Sequence, residues 1–150
     1  MGGEFWSYSV PYQQDIPAAL EKLREQEFRA GRFWQPDEAQ PGFLGRLLGR
    51  GPSKPERPAS IQEALKFSDA TGTRSILDME RVSETPELGA VSPLSVEELR
   101  ELFGTEQPTR DVIEQSEEFI ERLERGQGVY IIIYRQGKPD EIYFAGYSYD

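Results

Sequence analysis

The chain contains no cysteine, no histidine and no asparagine. The first absence excludes a disulfide, a thiolate nucleophile and a cysteine-ligated zinc site. The second excludes an imidazole base, a histidine metal site and a Ser-His-Asp triad. The third leaves no acceptor for N-glycosylation. No apolar run reaches the roughly 18 residues that a membrane-spanning helix needs. The P-loop, the G-x-G-x-x-G turn after a strand, the G-x-S-x-G elbow and the EF-hand loop are all missing. Any catalysis is therefore confined to carboxylates, hydroxyls, Arg, Lys or an oxygen-ligated metal, and no cofactor is implied.

What is present is acid. Among 150 residues, 27 Asp and Glu face 17 Lys and Arg, a net charge of -10. Such a chain is repelled by nucleic-acid backbones and by anionic membranes, so neither is expected as a partner. A basic protein partner is expected instead. Residues Met1 to Trp6 carry no basic segment and no apolar signal core, which sets the expected location as the cytoplasm. Thirteen arginines against four lysines, with no asparagine, point to a GC-rich, bacterial coding sequence.

The length fits one domain. Phe5 to Tyr12 alternates, with Trp6, Tyr8, Val10 and Tyr12 on one side, as a half-buried strand does. Asp15 and Pro17 open a helix that runs to Ala30 and stops at Gly31. Arg32 to Gln35 reads as a short second strand. Pro41 to Pro58 holds four Pro, four Gly and a local charge of +3, and reads as a mobile insertion. Capping boxes at Ser60–Glu63 and Ser95–Glu98 open two more helices, the first ending near Ala70 and the second at Gly104. Ser75 to Val82 reads as a strand and Glu84 to Pro93 as a loop. Thr109 to Arg125 reads as one long amphipathic helix with Val112, Ile113, Ser116, Phe119, Ile120 and Leu123 inward. Val129 to Tyr134 has the apolar character of a central strand, and Glu141 to Tyr149 returns from a turn to complete a hairpin. The fold class expected is α+β: a mixed, mostly antiparallel sheet of about four or five strands, with helices packed on it and a C-terminal β-hairpin.

Three carboxylates stand out. Glu27 falls inside the apolar stripe of the first helix, where it would be desolvated unless an Arg or Tyr pairs with it; the plainer alternative is that it reaches solvent past Phe28. Asp78 and Glu80, two apart on an expected strand, share a face. Such a pair can bind a divalent cation with help from Asp69, or divide acid and base roles; the plainer alternative is an exposed strand end paired to Arg74 or Arg81. The segment 69–75, with Gly72, two threonines and Arg74, has the residue types for holding an anion, but it follows a helix rather than preceding one, which favours an ordinary helix stop.

The aromatics cluster on expected strands. Trp6, Tyr8, Tyr12, Trp34, Tyr143, Tyr147 and Tyr149, with Arg74, are the candidate binding residues, because Tyr and Trp give large contact area at low entropy cost. Two functions are consistent with this inventory. The favoured one is a small acidic protein that acts by non-covalent binding to a protein partner, of the immunity, inhibitor or regulatory kind, an analogy of size and charge only. The rival is a small carboxylate-based enzyme or small-molecule binder that uses Glu27, Asp78 and Glu80.

Overall fold

The computed structural model describes residues 3–33, 58–67 and 72–149. Trp34, Asp69 and the expected insertion, apart from Pro58, lie outside the described residues; Pro58 itself is buried.

Strand β1 (Phe5–Pro11) leads to helix α1 (Ile16–Ala30). Asp15 caps this helix by accepting the Ala18 N–H at 3.0 Å. At its other end Gly31 takes a left-handed conformation. Its N–H reaches the Phe28 carbonyl and the Arg32 N–H reaches that of Glu27, a Schellman turn that folds Arg32 back over the last turn.

Helix α2 (Ile61–Phe67) follows, then a 3-10 turn (Ile76–Asp78) and the two-residue strand β2 (Arg81–Val82). Strand β3 (Ala90–Pro93) precedes three short helices: α3 (Val96–Phe103), α4 (Arg110–Glu114) and α5 (Glu117–Arg122). The hairpin β4 (Gly128–Arg135) and β5 (Lys138–Tyr147) completes one five-stranded sheet of order β1-β5-β4-β3-β2. The β1-β5 and β5-β4 pairs are antiparallel; β4-β3 and β3-β2 are parallel. The chain is thus α+β with a mixed sheet and a C-terminal hairpin.

Each face of the sheet has its own core. On one, Leu20 and Leu23 of α1 meet Trp6, Ile76, Met79, Val91, Ile142 and Phe144. On the other, α3 to α5 cover Ile131, Ile133, Tyr143 and Ala145 through Ile113 and Phe119. Phe119 lies between Phe103 at 5.7 Å and Tyr143 at 6.4 Å between ring centroids, which ties α5 to α3 and to the sheet. β4 is covered on both sides, as its unbroken apolar run predicts.

Four expectations need correction. Arg32 and Phe33 form no strand, because the Schellman turn directs them back along α1. The stretch 75–82 is a strand only at its end; the Ser75 hydroxyl accepts the Leu77 N–H at 3.2 Å and winds the chain into the 3-10 turn. Ala90–Pro93, inside the expected loop, is a parallel strand that places its proline last. The long helix 109–125 is two helices, divided at Ser116, whose side chain accepts the Phe119 N–H at 3.2 Å as an N-cap.

Ser116→Ala removes that cap and is expected to cost about 1 kcal/mol in urea unfolding. An unchanged midpoint would show that the second helix does not depend on Ser116.

Candidate functional site

The carboxylates singled out in the sequence occupy quite different settings. Glu27 is 5 % exposed on the inner face of α1. The Arg32 guanidinium, brought back by the Schellman turn, donates to both of its oxygens at 2.8 Å from Nε and from Nη2. A bidentate, charge-assisted pair of this kind compensates a buried carboxylate. It is the arginine partner that the apolar stripe called for, rather than an escape to solvent past Phe28.

Asp78 is 4 % exposed and does not share a strand face with Glu80, because it ends the 3-10 turn. Its Oδ1 accepts the Thr73 N–H at 2.6 Å and lies 2.7 Å from the Thr73 hydroxyl; its Oδ2 accepts the Arg74 N–H at 3.1 Å. The Thr73 hydroxyl continues to Ser75 at 2.8 Å. The loop 72–75 is thus wrapped around the chain's own Asp78 carboxyl. Burial pushes the Asp78 carboxyl above its ordinary value, against the opposing hydrogen bonds from Thr73, Arg74 and Ser75.

Glu80 is exposed. It meets Asp78, Gly72, Leu65, Leu88 and Tyr149 around a shallow pocket of about 230 Å³. The Tyr149 ring lies so close over the backbone that a Cβ on Gly126 would stand 2.6 Å from its Cε1. Burial, then the negative charges of Asp78 and Glu80, raise the Tyr149 phenol above its ordinary value. Among the described residues no group of acids is arranged to hold a metal ion.

The candidate aromatics divide by position. Trp6 and Tyr143 are core residues, 5 % and 6 % exposed. Tyr8 is half-buried against the α1 core, and its phenol is raised by burial, with Glu27 and Asp78 adding to the shift. Tyr147 is half-buried, its ring edge-on to Phe5 at 5.7 Å. Only Tyr12 and Tyr149 of the described set present large exposed rings. The Arg74 guanidinium reaches Glu4 at 3.1 Å.

No protein-family model, curated protein or solved structure matches the chain.

A further surface emerges on the opposite side of the sheet from α1. Residues 95–125 carry ten Asp and Glu and four Arg, a net charge of -6 in the α3–α5 layer. All fourteen are exposed. Arg100 pairs with Glu106, Arg122 with Glu101 and Glu118, and Arg110 with Glu141 of β5. Glu97, Glu98, Asp111, Glu114, Glu117, Glu121 and Glu124 have no ion pair among the described residues. Val96 and Val112 lie exposed among them. The row of glutamates was visible in the sequence as one helix side; its gathering with α3 into a single layer required the fold. Among the described residues no helix is long and apolar enough to cross a membrane.

Asp78→Ala strips the Thr73 and Arg74 N–H groups of their acceptor. The expected loss is about 2 kcal/mol or more in chemical denaturation, whereas Glu80→Ala is expected to change stability by less than about 0.5 kcal/mol. Equal effects of the two substitutions would contradict the division of roles.

Proposed function

We propose that the protein acts by non-covalent binding to a basic protein partner, in the manner of an inhibitor, immunity or regulatory protein, and that the α3–α5 layer is its docking face. The observation that carries this reading is the set of seven exposed carboxylates on one layer that lack an internal cation. Charge of one sign concentrated on a surface accelerates association with an oppositely charged partner and rejects like-charged ones. The short helices are pinned from below by Ile113 and Phe119, so docking requires little further ordering of their backbone.

The disposition of the other acids supports binding over carboxylate catalysis. Glu27 is committed to Arg32, and Asp78 to the amides of its own loop. Both are nearly buried, and Asp78, although it lines the shallow pocket beside Glu80, already accepts a hydrogen bond on each oxygen. A cytoplasmic setting and a bacterial source fit the composition and belong to the same proposal.

Immobilised protein is expected to retain a basic protein from a lysate of its source organism at low salt and to release it at about 0.5 M salt, where screening shortens the reach of exposed charge to a few ångströms. The triple variant E117Q/E121Q/E124Q is expected to retain less. Retention that is indifferent both to salt and to these substitutions would overturn the reading.

A further inference from the structure

The acidic layer is not flat. Between α3, α5 and the edge formed by β3 and the start of β4 lies a cleft of about 250 Å³. Leu102, Phe119 and Leu123 supply apolar walls. Ser92 lines it too, although only 1 % of the residue is exposed and its hydroxyl has no hydrogen-bond partner among the described residues. A hydroxyl that lines the cleft can hydrogen-bond a donor bound there in place of water. The rim carries Glu98 and Glu124. One oxygen of Glu98 accepts the Ser95 N–H at 3.1 Å in the capping box of α3, which leaves the other available. Glu124 has no ion pair. The one cation at the rim, Arg122, is occupied by Glu101 at 3.1 Å and Glu118 at 2.7 Å, and so does not offset these two charges.

Apolar walls, a hydroxyl and two carboxylates that lack a cation together match one chemistry: a cation carried on an aliphatic stem. We propose that this cleft receives an arginine or lysine side chain of the basic partner, with its methylenes against Leu102, Phe119 and Leu123 and its charged head toward Ser92, Glu98 and Glu124. The proposal rests on the docking role assigned above to the α3–α5 layer, and adds the point on that layer where a partner side chain is anchored. Long cationic side chains bury their stems while keeping the head among polar groups, which the mixed lining of this cleft allows. A neutral apolar side chain would displace water from Ser92, Glu98 and Glu124 without replacing its hydrogen bonds, and an acidic one would meet Glu98 and Glu124 as like charges.

The test uses the full, isotopically labelled chain and two soluble probes, Nα-acetyl-arginine N-methylamide and its neutral citrulline counterpart. Amide NMR titration at low salt is expected to give saturable shifts for the arginine probe, concentrated at Ser92, Leu123, Gln127 and Val129, and little response to citrulline. The variant E98Q/E124Q keeps a side chain able to complete the capping box. It is expected to bind the arginine probe about fivefold more weakly, the size of one or two exposed charge contacts. Ser92→Ala is expected to weaken binding without changing the fold. Equal response to citrulline, unsaturable shifts spread evenly over α3 to α5, or undiminished binding by E98Q/E124Q would each overturn the proposal. The probe assay needs no partner, so its failure is separable from failure of the docking reading. If salt-sensitive capture of a basic protein persists at full strength in E98Q/E124Q, the layer stands and the cleft falls. If capture fails while the probe saturates the cleft and the variant weakens it, cation recognition by the cleft stands and the docking reading falls.

Discussion

A single row of residues crosses all five strands, and the sheet depends on it. Trp6 pairs with Gly146, Gly146 with Gly128, Gly128 with Val91, and Val91 with Val82. The Trp6 indole packs against the two glycines. A Cβ on Gly146 would stand 2.5 Å from the ring and one on Gly128 3.1 Å from it. The row spans the point where antiparallel pairing gives way to parallel pairing: the Trp6 ring ties the N-terminal strand to both strands of the hairpin, and Val91 of β3 closes on Gly128. The indole N–H has no acceptor among the described residues. Its burial still stabilises: an aromatic ring that removes about 150–250 Å² from water contributes about 4–6 kcal/mol, against about 1–3 kcal/mol for the unmet N–H.

The sheet that this row crosses divides the molecule into two sides with different chemistry. Below it, ionisable groups are drawn inward and neutralised locally: Glu27 by Arg32, Asp78 by the amides of residues 73 and 74, and Arg24 in part by the Leu77 carbonyl at 3.1 Å. Above it, the core of Ile113, Phe119 and Tyr143 is wholly apolar or aromatic, and charge is expelled to the outer sides of α3 to α5. The net charge of -10 is therefore not an even coat. Its uncompensated part is concentrated on the layer that also contains the cleft over Ser92.

Much of this arrangement is legible in the sequence where the signal is local. Asp15 and Gly31 mark the ends of α1, Ser95 and Glu98 mark the start of α3, and the alternation from Trp6 to Val10 and the apolar run from Val129 describe their strands correctly. Periodicity alone places Glu27 in a buried stripe. The errors arise where a side chain outcompetes a pattern. Ile76, Leu77 and Met79 have strand-like residue types, but Ser75 and Asp78 bind nearby amides and curl the chain, and all of 75–79 is buried together. Ser116 fits the inner face of a helix by spacing, yet its hydroxyl serves better as a cap. Pro93 suggests a loop, although the last position of a strand tolerates it. The cleft joins residues from Pro86 to Val129, two segments well apart in the chain, and no local pattern carries it.

The dependence on the glycine row is tested most directly by equilibrium unfolding of Gly146→Ala. Gly146 has an ordinary strand conformation, so the substitution adds only a methyl group, placed against the Trp6 ring and 2.7 Å from the Gln127 carbonyl oxygen. The expected result is a loss of about 2–3 kcal/mol, the cost of overpacking a close-fitted site, together with increased amide exchange in both β1 and β4. Wild-type stability and unchanged exchange in this variant would contradict the claim that the ring on bare backbone holds the sheet together.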